Sequence, residues 1–140
     1  MRRYVEAAQS VPAVYSLARA IAARVPGKDH AGEAAAIHAW VRDNVAYRWD
    51  PLEHESLQTV QNTLALKTGD CDDMAILIAA LAESLGLRSR FVVGGWNRAQ
   101  YVHVWPEVQV WGRWVALDAT ENHGPGWRPP LRYLMTAEKR

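Results

Sequence analysis

Residues 71–85, Cys-Asp-Asp-Met-Ala-Ile-Leu-Ile-Ala-Ala-Leu-Ala-Glu-Ser-Leu, make up the most apolar stretch of the chain, and Gly86 follows them. Met74, Leu77, Ile78, Leu81 and Leu85 recur at helical spacing, and a glycine just past such a stripe is a helix stop. The stretch is therefore predicted as a helix whose stripe must be buried. Continued one turn back, the stripe reaches Cys71, so the thiol opens the buried face. Asp70, Asp72 and Asp73 around it read as cap and first turn, where carboxylates are favoured. Any fold of this chain has to wrap around that helix with Cys71 at its N-terminal end.

The rest of the chain supplies enough to wrap it. A chain near 150 residues buries roughly 68–70% of its unfolded surface, so 140 residues can build one core without a staple. Cys71 is the only cysteine, which excludes an intramolecular disulfide and cysteine-rich zinc motifs. The formal charge of +1 attracts no phosphate polymer, so nucleic acid is not an expected partner. After Arg2-Arg3, the residues Glu6, Gln9, Ser10 and Pro12 break any signal-peptide run, and no run of 18 apolar residues occurs. The expectation is a cytoplasmic protein with no membrane partner. Seven tryptophans stand against one phenylalanine, and we read them as core before groove wall.

Ser10 before Val11-Pro12 reads as a cap, and Val14, Leu17, Ala18, Ile21 and Val25 predict a helix over 11–25. Asp29 caps a second helix, with Ala34, Ile37, Val41 and Val45 as its stripe and an end near Asn44. Residues 46–57 read as a surface loop, and a short helix is expected over 59–66. Past Gly86 the period changes to that of strands: Arg90–Val93, Tyr101–Val110 and Trp114–Leu117, separated by Gly94-Gly95 and Trp111-Gly112, predict a meander. Pro106 marks an edge or a bulge. Residues 119–140 are expected as a wrapping tail, with the whole of 1–140 forming a single domain.

A reacting thiol needs a helix N-terminus, an imidazole to take its proton, and a group to orient that imidazole. Cys71 has the first by position; the three aspartates oppose ionisation. If Trp111-Gly112 is a two-residue turn, Val110 pairs with Arg113 and every later pair follows in register. His103 then lies on the same sheet face as Asp118, its diagonal neighbour at ~7–8 Å. Cys71, His103 and Asp118 are thus the candidate catalytic residues. Gln58, Gln61, Tyr47 and Trp49 qualify chemically as oxyanion donors, and the residues alone do not choose among them. His54 between Glu53 and Glu55 has no second histidine at ligand spacing, and His30, His38 and His123 read as surface. Gly94-Gly95 lacks phosphate-loop spacing.

Three blocks, Gly69-Asp70-Cys71-Asp72-Asp73, Val102-His103-Val104-Trp105-Pro106-Glu107-Val108 and Trp114-Val115-Ala116-Leu117-Asp118-Ala119-Thr120, resemble the core of the transglutaminase-like superfamily over about residues 30–120. The resemblance implies an α+β, papain-like fold with N-terminal helices and the nucleophile helix packed on an antiparallel meander. It implies Cys71 as nucleophile, His103 as general base and acid, and Asp118 as the residue orienting the ring. The expected activity is acyl transfer on amide bonds of a peptide or protein, hydrolysis before transamidation; the alternative is a binding module of the same fold. No cofactor is expected. Some relatives bind calcium through acids like Asp70, Asp72 and Asp73, which here read first as cap residues lacking EF-hand spacing.

Overall fold

The computed structural model describes residues 1–48, 57–97 and 102–138, with side chains through 136. Its elements in order are α1 (Arg2–Ala8), α2 (Pro12–Ala22), α3 (His30–Asn44), β1 (Ala46–Tyr47), α4 (Val60–Leu66), β2 (Thr68–Gly69), α5 (Cys71–Ser84), β3 (Ser89–Gly95), β4 (His103–Val110), β5 (Arg113–Ala116) and β6 (Tyr133–Glu138). This is the expected α+β architecture. Helices collect around α5, and a four-stranded antiparallel sheet of order β5-β4-β3-β6 closes one side.

The central helix is buried more completely than its stripe requires. Every residue from Asp73 to Ala82 is buried, including the alanines between the large side chains. Val5 of α1, Val14 of α2, Ile37 of α3 and Val60 of α4 share its cluster with Val104, Val108 and Val110 of β4. A helix apolar on all faces belongs in a core. Each fully buried Leu or Ile there contributes about 1.5–3 kcal/mol of transfer free energy. Asp70 caps α5 by accepting from Asp73 N at 3.0 Å, while Asp70 N donates to the Asp73 side chain at 3.2 Å. At the other end, Gly86 N and Leu87 N bond back to Glu83 and Ala82, closing the helix as expected.

The β4–β5 hairpin has the register read from the sequence: Glu107 faces Ala116, Val108 faces Val115, Gln109 faces Trp114 and Val110 faces Arg113. Trp111 and Gly112 both take positive φ, 51° and 79°, as the two-residue hairpin turn requires. Pro106 is neither at a sheet edge nor in a bulge toward β3, where it pairs with Phe91. Its missing donor falls instead on the β5 side. There its carbonyl accepts from Leu117 N at 2.9 Å, one residue past the end of β5. The ladder stops at that proline, and Asp118 is the first residue freed from it.

Four further expectations are corrected. The first helix starts at Pro12 with Val11 as its cap, because Ser10 is engaged elsewhere: its hydroxyl donates to Ala7 O and finishes α1, a helix the sequence did not announce. The wrapping tail contributes a strand, β6, which covers the open edge of β3 with Met135 opposite Val93 and Leu134 opposite Gly94. The tryptophans are not a core set: among the described residues only Trp105 is wholly buried, whereas Trp96 and Trp111 are 63% and 72% exposed. His38, read as surface, is wholly buried. Trp49, His54 and Tyr101 lie outside the described residues. Among the described residues no helix is long and apolar enough to cross a membrane.

Candidate active site

The cap of α5 places the Cys71 thiol at the mouth of the core. It is half-buried and packs against the main apolar cluster. His103 starts β4, and its imidazole lines the same cleft as the thiol, near enough for Cys71 to act on the ring's protonation. His103 Nε2 lies 2.6 Å from Asp118 Oδ2. A carboxylate oxygen only accepts, so Nε2 carries the proton and Nδ1 is the ring nitrogen left for the thiol. Burial alone would pull the His103 ring down; the hydrogen bond to Asp118, the neighbouring Cys71 and the negative charges on both outweigh it and raise its pKa to about 10. Burial would raise the Asp118 carboxyl, but bonds from His103 and Thr120 outweigh that and hold it below the usual carboxylate range.

Asp118 is held from several directions. Thr120 donates to Oδ1 through its hydroxyl at 2.7 Å and its backbone N–H at 3.0 Å. His38 of α3 reaches its main-chain carbonyl at 2.7 Å. The sequence carried a signal for Thr120, since Asp-x-Thr is a local side chain to backbone turn. It carried none for His38. Beyond His103 on the same face, the Trp105 ring lies 6.0 Å from the imidazole, and its Nε1 donates to the wholly buried Glu107.

Thiol and imidazole share a cleft of about 400 Å³ lined also by Met1, Leu57, Asp72, Val93, Val102 and Val104. A slightly larger hollow of about 480 Å³ lies between α2 and α3, beside Leu17, Arg24 and Trp40. It contains neither thiol nor paired imidazole, so the smaller cleft is the candidate site.

The oxyanion candidates separate. Gln58 is spent on structure: its Nε2 donates to Thr68 O and to Asp73 Oδ2, both at 3.0 Å, and its backbone N donates to Asp73 Oδ1 at 2.8 Å. Both amide protons of that side chain are thereby used. Gln61 is exposed on α4 and does not line the cleft. Tyr47 is brought to the site by the short parallel pair β1–β2, in which it sits opposite Gly69. Its phenol is pushed up first by burial and then by the negative charges of Cys71, Asp70, Asp118 and Asp72, although the residue is 45% exposed and does not itself line the cleft. Gly69 is needed for this arrangement, because a Cβ there would come within 2.7 Å of Asp73 Cβ.

The acidic run is occupied by the fold. Asp73 is buried and ties Gln58 to the cap of α5. Burial, with the neighbouring Asp73 and Asp72 charges, raises the Asp70 carboxyl to about 6. Among the described residues no group of three His, Cys, Asp or Glu side chains is arranged to hold a metal ion. Replacing Asp73 by Ala is expected to lower unfolding free energy by about 2 kcal/mol, the scale of a lost cap plus an orphaned buried donor. Urea denaturation measures it, and Asp73→Asn should recover part of the loss.

The model of the transglutaminase-like superfamily matches residues 17–119. No curated protein matches the sequence. Among solved structures, a candidate cysteine protease of Cytophaga hutchinsonii aligns with TM-score 0.62 and 24% identity over 76% of this chain. The aligned part is 36% of that protein, so the chain spans about a third of its length. LapG of Legionella pneumophila aligns with TM-score 0.62 and 14% identity, over 88% of this chain and 74% of its own. The Rad4–Rad23 complex bound to a 6-4 photoproduct aligns with TM-score 0.61 and 12% identity, over 97% of this chain and 42% of that one. At these identities the likeness is one of fold.

Proposed function

The chain belongs to the transglutaminase-like superfamily, and from that premise we propose that it is a cysteine-dependent enzyme hydrolysing amide bonds in a peptide or protein, with Cys71, His103 and Asp118 as its catalytic triad. The observation that carries the reading is the thiol at the head of α5 sharing one cleft with an imidazole that is hydrogen-bonded at 2.6 Å to a buried carboxylate.

In the proposed reaction, His103 Nδ1 already holds the proton taken from the thiol in the resting enzyme, and the thiolate attacks the amide carbonyl carbon. The oxyanion is met by first-turn N–H groups of α5 and by the Tyr47 hydroxyl. The C–N bond then breaks as His103 returns the proton to the leaving amine, giving a thioester on Cys71. Water, deprotonated by His103, releases the acid. Asp118 keeps the ring in the Nε2–H tautomer and stabilises it when charged. The aliphatic lining of the cleft, Leu57, Val93, Val102 and Val104, favours an apolar side chain beside the scissile amide.

Hydrolysis is preferred to transamidation because an acceptor amine must outcompete water at ~55 M, which takes a second, closed channel. Residues 133–138, which could have walled one, are committed to the sheet edge. Two measurements test the reading. A cysteine-hydrolase activity probe should label Cys71 and fail to label Cys71→Ala. With a substrate from peptide-library profiling and a millimolar primary amine added, mass spectrometry should find mainly hydrolysed product. Predominant amine adduct would replace hydrolase by transferase, and absence of labelling would leave a binding module.

A further inference from the structure

His38 lies in the middle of α3, wholly buried, with its Nε2 2.7 Å from the Asp118 carbonyl oxygen. A carbonyl can only accept, so the ring is the Nε2–H tautomer and Nδ1 is a bare lone pair. Among the described residues Nδ1 is the buried side-chain polar atom without a partner. A buried polar atom left in that condition calls for an explanation. The place of the bond supplies one. Sheet pairing on the β5 side ends at Pro106, whose carbonyl takes Leu117 N, so residue 118 follows directly on the last ladder bond. The bond from His38 fixes its main chain at that point, while the carboxylate is held by His103 and Thr120.

We infer that His38 is a positioning residue for the site and the source of its acid sensitivity: its Nε2–H fixes the Asp118 backbone so that the carboxylate meets His103, and a proton on Nδ1 destabilises the buried packing that holds the ring there. A proton on Nδ1 would be a buried charge with no acceptor. Burial opposes that proton most, and Arg42 one turn along α3 opposes it too; Asp118 and Asp43 favour it more weakly, so His38 titrates below its ordinary range. The sign follows. A histidine with a lowered folded-state pKa contributes stability that is complete above about 6.5, the ordinary histidine value, and is lost as pH falls below it.

The inference rests on the triad reading but needs no substrate to test. The rate of Cys71 alkylation by iodoacetamide, and the melting temperature, are measured from pH 4 to 9 in wild type, His38→Gln, His38→Leu and His103→Ala. Gln keeps a donor at the Nε2 position and cannot titrate; Leu fills the space and donates nothing. His38→Gln should keep the neutral-pH rate within about twofold and move the acid-side loss of both rate and melting temperature down by a pH unit or more, a tenfold change in proton affinity. His38→Leu should lose about tenfold in rate at pH 7 while folded by circular dichroism. Should His38→Leu not fold, the His38→Gln acid edge decides alone. An acid edge in His38→Gln equal to wild type, or a folded His38→Leu reacting within twofold of wild type, overturns the proposal. A wild-type profile indistinguishable from His103→Ala overturns the triad reading itself, and the positioning role with it.

Discussion

Replacement of His103 by Ala is expected to slow acylation of Cys71 near pH 7 by about a thousandfold, the middle of the range for a positioned general acid and base. The size follows from what the proposed reaction asks of one ring: to take the thiol proton, carry it as a cation against Asp118, and give it to the leaving amine. Asp118→Asn should separate the last two roles. An amide in place of the carboxylate removes the charge that holds the ring protonated up to about pH 10. The alkaline limb of the alkylation profile should then fall back toward the ordinary histidine value of about 6.5. Stability must move with it. A ring whose folded-state pKa is raised contributes stability complete below about 6.5 and lost as pH rises through about 10, so the wild type should lose melting temperature across that interval. Asp118, held below its usual range, contributes in the opposite sense: its share is present above about 3.9 and goes as pH falls through its lowered value. Asp118→Asn should flatten both limbs. Melting temperature against pH for the two variants checks this, and unchanged limbs in Asp118→Asn would refute the pairing.

The largest effect on stability is expected far from the thiol, at Glu107→Ala. Glu107 is wholly buried and accepts from Arg90 at 2.6 and 2.9 Å, from Arg128 at 2.6 and 2.7 Å, and from Trp105 Nε1 at 3.3 Å. Truncating it strands the Arg90 head, which is largely withdrawn from water and lies over the Trp114 ring at 4.4 Å. Breaking a buried pair by removing one partner costs about 3–5 kcal/mol. The lower end is expected, because Arg128 is 43% exposed and recovers water. Arg128→Ala should therefore cost under about 1 kcal/mol, as exposed pairs do. Chemical denaturation distinguishes the two. Glu107→Ala should also alter the site, since it frees the Trp105 ring that flanks His103; equal small losses for both variants would show that the arginines repack freely.

The features legible in the sequence are those governed by near neighbours. The helix 71–84 announced itself by period and cap, and the hairpin register followed from a two-residue turn that only certain backbone angles can make. From those two local facts came the helix end that carries Cys71 and the strand that carries His103, with Asp118 just past the end of the hairpin. The signals failed wherever long-range packing chose. Gln58 reads as a free amide donor until the Asp73 side chain, fifteen residues away, takes both its backbone and its amide. Residues 133–138 have no strand period of their own and become β6 because β3 offers an open edge.

His38 marks the division most sharply. Within α3 it is one polar residue among alanines, and nothing in its neighbourhood separates a surface histidine from a buried one. Its burial and its single bond depend on a carbonyl eighty residues later, freed from the sheet where Pro106 ends the β5 ladder. The sequence by itself determined which residues have the chemistry and which local elements present them, because caps, turns and periods are short-range. Only the tertiary structure decided which of those groups are spent on holding the fold and which are left to react, because hydrogen-bond capacity is finite and its allocation depends on what the rest of the chain brings alongside.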